Sequence, residues 1–528
     1  MLLKLVSLVT CLLPLLLGVA SSPQVPTLQL VPLAVEAPDS PAGAATTANP
    51  ACISPDSPYG PKTYAWYHCY APSDIRSAYS VNPVDPVTVA GNLGQGQTIV
   101  LVDAYGSPTA KGDLQFFHDT FYPKLPAPNF DQVFPQGAPN YSTNGCGPNG
   151  FSAGPSGPCA AAGWSGEATL DIEWSYAIAP LAHIVLLAVP PAETEGVQGL
   201  PNLFNAIQGA IDTYPAGTIF SQSFGVTEQT FQAAGTTVTS RFDQVYKAAA
   251  NKGDTVLASS GDNGTTGISN LLGTKTYSFP TVGWPASSPY LTAVGGTQLQ
   301  QGWTWAPTTD TPFIPNPANP LKSIPNPTYF AYTSVGSSEA IWNESWLPAA
   351  SGGGPSVLYP RPTWQSSVDT AAGNHRLVPD LSWNAAVNGG VLVYITAFPK
   401  AQRAGWHVYG GTSAGSPQMA GVVALINRAR GTATPAKGPI GFLSPLLYGL
   451  SASAFSDIVP QTYGTAASGS SVYPTGAMSG NGLWAYQADG TVAPNGIPGN
   501  PVLAGYDMTT GLGRPVVSTF VAALAAGP

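Results

Sequence analysis

Four short, almost uninterrupted apolar runs constrain this chain more than any other feature. They are residues 97–104 (QTIVLVDA), 182–189 (AHIVLLAV), 218–224 (TIFSQSF) and 254–259 (DTVLAS). A strand apolar on both faces needs cover on both faces, and parallel strands joined by helical crossovers provide it. Helical periodicity over 202–212 and 237–251 falls between these runs. The alternation predicts an α/β fold, doubly wound around a mostly parallel sheet. Hydrophobic residues make up 44% of the 528, which suits a large core and excludes a wholly disordered chain. One large domain is expected over 51–528. It carries insertions near 301–346, rich in Pro, Trp, Thr and Asn, and near 461–501, rich in Gly, Ser and Tyr. No internal repeat stands out.

The N-terminus reads as a secretory signal over residues 1–20. Lys4 precedes a Leu/Val-rich run, and Gly18, Val19 and Ala20 place small residues at a cleavage position. Pro14 interrupts the run, which is short for a membrane span. Residues 21–50, rich in Pro, Ala, Ser and Thr, read as a flexible leader. A secreted chain with four remaining cysteines suggests two disulfides, and the short-range pairs Cys52–Cys69 and Cys146–Cys159 are preferred. Sequons begin at Asn140, Asn263 and Asn343. Charged residues are only 9% of the chain and the net charge is -9, which argues against nucleic acid as a partner. Few carboxylates and few mutually repelling cations also mean little stability to lose in acid.

The chemistry centres on residues 410–427 (GGTSAGSPQMAGVVALIN), where a Gly-rich turn carries Ser413 into an apolar helix. The bland alternative is a serine N-cap. Residues 411–415 also match a G-x-S-x-G elbow, but α/β-hydrolases place their histidine after the serine. His68, His118, His183, His375 and His407 all precede Ser413. Carboxylates offer another base. In residues 163–180 (GWSGEATLDIEWSYAIAP), Glu167 and Asp171 sit at i and i+4 on one helix face, with Ser165 as the expected cap. Two close carboxyls titrate as a pair, one ionised while the other keeps its proton. A solvated acidic face is the ordinary reading of such spacing.

Taken together these motifs resemble the sedolisins, serine-carboxyl peptidases with a subtilisin-like fold. The likeness runs from about Tyr70 (YAPSDIRSAY) to residues 511–515 (GLGRP). It implies Ser413 as nucleophile, Glu167 as base and Asp171 as its partner. It also implies Asp262, in ASSGDNG, as a protonated donor to the oxyanion. Residues 351–356 (SGGGPS), Trp364-Gln365 and residues 378–382 (VPDLS) are further family landmarks. The resemblance further implies one calcium ion held by Asp457, Asp507 and the backbone oxygens of Ile458, Leu503 and Gly505.

The expected activity is that of a secreted, acid-acting, monomeric endopeptidase cutting protein or peptide substrates through an acyl-enzyme. It has no membrane partner once the signal is removed. Tripeptidyl-peptidase action and a non-catalytic binding protein on the same fold are the alternatives, beside a histidine-type subtilase whose aspartate would be Asp103. One departure concerns activation. Family members usually carry a long pro-domain, whereas about fifty residues lie between Ala20 and Tyr70.

Overall fold

The computed structural model describes residues 30–36, 69–81, 91–139, 141, 160–190, 196–234, 237–269, 275–305, 313–316, 319–325, 330–344, 348–368, 372–397, 404–460, 479–486, 492–494 and 496–527. The strands that position the site are β1 (Val31–Pro32), β2 (Val35–Glu36), β3 (Thr98–Ala104), β4 (Phe130–Val133), β5 (His183–Val189), β6 (Ile219–Gln222), β7 (Phe224–Thr227) and β8 (Thr255–Ser259). They continue with β9 (Thr292–Trp305), β10 (Phe330–Ile341), β11 (Leu381–Asn384), β12 (Gly390–Ile395) and β13 (Gly405–Gly410). The main helices are α1 (Ala110–Phe121), α2 (Ala160–Ile178), α3 (Gly196–Thr213), α4 (Thr237–Lys252) and α5 (Gly415–Gly431).

An eight-stranded sheet has the order β10-β9-β8-β6-β3-β5-β4, with β11 also paired to β9. Every pairing in it is parallel except β9 with β10. Alternation across β3 and β5 splits the core in two. Ile99, Leu101, Ile184 and Leu186 join α2 and α5 in one apolar cluster. Val100, Val102, Val185 and Leu187 join Leu203 and Phe204 of α3 and Phe242 and Tyr246 of α4 in another. This is the doubly wound α/β arrangement expected from the apolar runs. Strands buried on both faces account for those runs being continuous rather than alternating. The helices α2 and α5 touch closely at Gly421, where a Cβ would lie 2.6 Å from the Cβ of Ile178.

Several expectations change. The run 218–224 is two strands, because the chain breaks at Ser223 between β6 and β7. Helix α2 begins at Ala160, so Ser165 is inside it, donating to the Gly106 carbonyl at 3.0 Å, and is not its cap. The segment near 301–346 leaves and rejoins the sheet as an antiparallel ribbon, β9 with β10, with a smaller hairpin of Phe313–Asn316 and Asn319–Pro325. Asn343 is 2% exposed and its amide donates to Gly480 and Gly482, so a glycan there is excluded by packing. Cys69 is disulfide-bonded, while both expected pairings involve cysteines outside the described residues. The signal, the sequon at Asn140 and most of 461–501 also lie outside them.

The largest change concerns the leader. Residues 30–36, expected to be flexible, form two strands. β1 runs antiparallel to β7, with Val31 opposite Gly225 and Pro32 opposite Phe224. β2 runs antiparallel to β13, with Val35 opposite Gly410 and Glu36 opposite Tyr409. Their local sequence is no strong strand former, and tertiary pairing supplies the order.

Candidate active site

The site lies at the carboxyl edge of the parallel strands, where doubly wound folds gather their functional groups. Ser413 sits in a 3-10 turn (Thr412–Ala414) that leads into α5, close to the positive end of that helix. It is buried and does not cap the helix, whose N-cap position is Ala414. Its hydroxyl donates to the Ser223 carbonyl at 3.3 Å and lies near enough to Glu167 to pull that carboxyl down against burial. Gly411 enters this turn with φ of 89°, a conformation that disfavours any side chain.

Glu167 and Asp171 face inward from α2 and are both fully buried, so the solvated-face reading fails. Glu167 Oε2 accepts the Ala34 N–H at 2.7 Å, and Asp171 Oδ1 accepts the Ser223 hydroxyl at 2.9 Å. Burial pushes both carboxyls well above the usual range, and the Asp103 carboxyl raises both further. Asp103, at the end of β3, is buried with neither oxygen hydrogen-bonded among the described residues, and burial pushes it up to about 8. Glu167 Oε1 and Asp171 Oδ2 are likewise buried without partners. Three acids this close cannot all ionise, and they titrate as one group. Donors decide where the charge rests. Glu167 accepts the Ala34 N–H and is favoured as the anion by the Ser413 hydroxyl, Asp171 accepts the Ser223 hydroxyl, and Asp103 has no donor among the described residues. Glu167, beside Ser413, is therefore the member best able to carry a negative charge.

Asp262 follows β8. Burial pushes it up to about 7, against the pull of the Thr412 N–H and hydroxyl, both 2.8 Å from Oδ1. Its Oδ2 faces Gly411. A Cβ on that glycine would sit 2.9 Å from Oδ2 and would collide with the Leu33 carbonyl oxygen. That carbonyl therefore occupies the space beside Ser413 and Asp262, and the missing Cβ makes the space.

The four residues singled out from the motifs thus come together. Asp103 completes the group and was not among them, although its place at the end of an apolar run was a readable signal. Among the described residues no histidine hydrogen-bonds to it, and His68 lies outside them. Asp103 carries no hydrogen bond, and His407 Nδ1 bonds Glu36 Oε1 at 2.9 Å. His118 bonds Tyr176, and His183 bonds Asp131.

The residues expected to hold calcium come from two loops in contact, with the Gly505 N–H donating to Asp457 Oδ2 at 2.8 Å. Asp457 is exposed and Asp507 buried. Asp507 Oδ1 takes the Thr509 and Thr510 N–H groups at 2.9 and 2.8 Å and both their hydroxyls. Its Oδ2 holds only longer bonds, 3.1 Å from the Leu503 N–H and 3.3 Å from the Thr510 hydroxyl. The donors are all oxygens, as a hard cation requires, and Asp457 with Oδ2 of Asp507 are the oxygens best able to turn to one.

The fold and the site combine a doubly wound α/β sheet with a buried serine set among buried carboxyls. The subtilase family's sequence profile matches residues 177–464, and the chain belongs to the subtilase family. That stretch includes Asp262 and Ser413 and begins beyond Glu167 and Asp171. Among curated proteins the chain is 30% identical to Kumamolisin from Bacillus sp. (strain MN-32) over 397 residues, 74% of this chain and 56% of that protein. It is 31% identical to Sedolisin from Pseudomonas sp. (strain 101), over 46% of this chain and 35% of that protein. It is 28% identical to Tripeptidyl-peptidase sed4 from Aspergillus fumigatus, over 66% of this chain and 52% of that protein. The chain thus spans about half or less of each of these relatives. A solved Pseudomonas sedolisin, described as a serine-carboxyl proteinase, aligns with a TM-score of 0.57 at 23% identity. The alignment covers 86% of this chain and 98% of that one, a likeness of fold.

Proposed function

We propose that the protein is a secreted, monomeric serine-carboxyl endopeptidase that works in acid on proteins and peptides. The observation that carries this reading is a buried serine beside Glu167, within a cluster of buried carboxyls that cannot all ionise. Ser413 Oγ attacks the scissile carbonyl, and Glu167 takes its proton and passes it to the leaving amine. Asp171 and Asp103 hold their protons and keep the cluster's charge on Glu167. Asp262 donates to the oxyanion, which it can do only while protonated. Secretion rests on the signal-like residues 1–20, and no helix among the described residues is long and apolar enough to cross a membrane.

The test is hydrolysis of casein by acid-incubated protein across about pH 2 to 8, beside Ser413→Ala and Glu167→Gln. An acid optimum is expected, with losses of about 10⁴-fold or more in Ser413→Ala. A neutral optimum, or a Glu167→Gln variant as active as wild type, defeats the reading.

The reading includes one calcium ion held by Asp457, Asp507 and the backbone oxygens of Ile458, Leu503 and Gly505. The ion would tie two loops together and take no part in the chemistry. Thermal unfolding with excess calcium against EGTA, at neutral pH where its carboxylates are ionised, should give the higher midpoint with calcium. Identical midpoints exclude the site.

A further inference from the structure

The segment 461–501 reads as a surface insertion, yet residues 480–483 within it are buried and Asn481 fully so. Every polar atom of Asn481 is engaged. Its N–H donates to the Asn500 carbonyl at 3.2 Å, and its Oδ1 accepts the Asn500 N–H at 2.8 Å. Its Nδ2 donates to the carbonyls of Ser351 at 3.0 Å and Gly353 at 3.3 Å. Its own carbonyl accepts the Thr265 N–H at 3.1 Å. Two donors and an acceptor on one short side chain are what a primary amide supplies. Asn343 brackets the residue, donating to the carbonyls of Gly480 and Gly482 at 3.0 and 2.7 Å.

These partners lead to the aspartate beside Ser413. Residues 350–353 form a strap along the turn 261–265. The Ala350 N–H donates to the Asp262 carbonyl at 3.0 Å, the Gly264 N–H to the Ala350 carbonyl at 2.9 Å, and the Gly352 N–H to the Gly261 carbonyl at 2.7 Å. The strap is itself pinned. Ser351 Oγ accepts the Gly296 N–H of β9 at 2.9 Å and donates to the Thr509 carbonyl at 2.7 Å. The turn is pressed directly onto Asn481. Gly264 has φ of 58°, and a Cβ there would lie 2.0 Å from the Asn481 carbonyl oxygen. Asn481 thus meets the turn with its backbone and the strap with its amide. Among the described residues the Asp262 carboxyl is held by Thr412 alone, and only at Oδ1. Where Oδ2 stands is therefore set by the backbone that Asn481 and the strap fix.

We propose that Asn481 is a positioning residue for the peptidase reaction: it clamps the strap 350–353 to the turn 261–265 and so sets where the Asp262 carboxyl stands. The proposal rests on the oxyanion role given to Asp262 above. Asn481 acts through the backbone of Asp262 and not on the substrate. Its loss should therefore fall on kcat, and should vanish where the Asp262 carboxyl is already gone. Truncating it leaves the Ser351 carbonyl and the Asn500 N–H without their partner and frees the turn to shift.

The experiment is a double-mutant cycle on the full chain incubated in acid, with one quenched-fluorescent peptide as substrate near pH about 4, where free carboxyls titrate. Wild type, Asn481→Ala, Asp262→Ala and the double variant are compared, with thermal melts to show that each is folded. Asn481→Ala should lower kcat by about 10²-fold with KM nearly unchanged, the scale of a displacement of about 1 Å at a reacting group. Asp262→Ala should lower kcat by about 10²–10³-fold, and the double variant should be no slower than Asp262→Ala. Should Asn481→Ala not fold, Asn500→Ala takes its place in the same cycle with a smaller loss expected. It is a half-buried position whose Nδ2 holds the Gly353 carbonyl at 3.0 Å. A double variant slowed by the full single-variant factor makes the residue general support for the fold and overturns the proposal. An unchanged kcat, or a raised KM alone, overturns it as well. Wild-type kcat in Asp262→Ala is a separate result, and it removes the oxyanion reading together with the proposal built on it.

Discussion

Asp380 and Asp103 are both fully buried aspartates, yet their surroundings are opposite. Asp380 Oδ2 accepts Arg376 Nη2 at 2.6 Å and the Ala293 N–H at 2.8 Å, and Oδ1 accepts the Tyr448 hydroxyl at 2.8 Å. Glu344, also buried, is treated the same way, with Trp342 Nε1 and the Val387 and Asn388 N–H groups on its two oxygens. Asp103 has no donor on either oxygen, and Glu167 and Asp171 each leave one oxygen bare. Buried charge is tolerated when it is paired and hydrogen-bonded. Where donors are withheld, the carboxyl keeps its proton instead. The first arrangement fastens the strands around Asp380, and the second stores protons beside a serine.

Breaking the paired region should cost the most. Arg376→Met leaves Asp380 buried without its cation and should lower stability by about 3–5 kcal/mol, read by urea unfolding. A loss below about 1 kcal/mol would show that its pairing matters little. Next is Asp262→Ala, which removes the oxyanion donor and should cost about 2.7–4 kcal/mol of barrier, seen as a 10²–10³-fold drop in kcat. A drop in KM-related binding alone would remove Asp262 from that role.

The unpaired region should respond with the other sign. Asp103→Asn gives up no hydrogen bond and relieves a crowded acid, so stability at neutral pH should rise by about 0.5–2 kcal/mol. A destabilised variant would mean that Asp103 is held as Asp380 is. The pH dependence of unfolding probes the same region. Asp103 at about 8 and Asp262 at about 7 stand above the range near 4 of the unfolded chain. The folded chain then keeps protons that the unfolded chain has released. Their stabilisation is complete below pH about 4 and is lost as pH rises through about 7 to 8. Calcium-free melting midpoints should fall over that interval, and fall less in Asp103→Asn. An equal fall in both would place the titration elsewhere.

Much of this was legible in the sequence. Apolar runs buried on both faces announce the parallel sheet, and three short motifs mark Ser413, Glu167, Asp171 and Asp262. What local pattern could not carry is what tertiary contact decides. Residues 30–36 look like a loose Pro- and Ala-rich leader, and only β7 and β13 turn them into strands. Asp103 reads as the last acid of an apolar run, and its lack of partners shows only once α2 is laid beside β3. Asn343 reads as a surface sequon and is a buried amide bonded to two glycine carbonyls.

The most direct test of proton-holding carboxyls at a serine is the pH profile of kcat/KM for wild type and Asp262→Asn, whose amide donates at every pH. Wild-type activity should peak in acid and fall as pH rises through about 7, where Asp262 loses its proton. The variant should keep its activity further into the alkaline range. A neutral optimum with the same alkaline limb in both proteins would contradict the account.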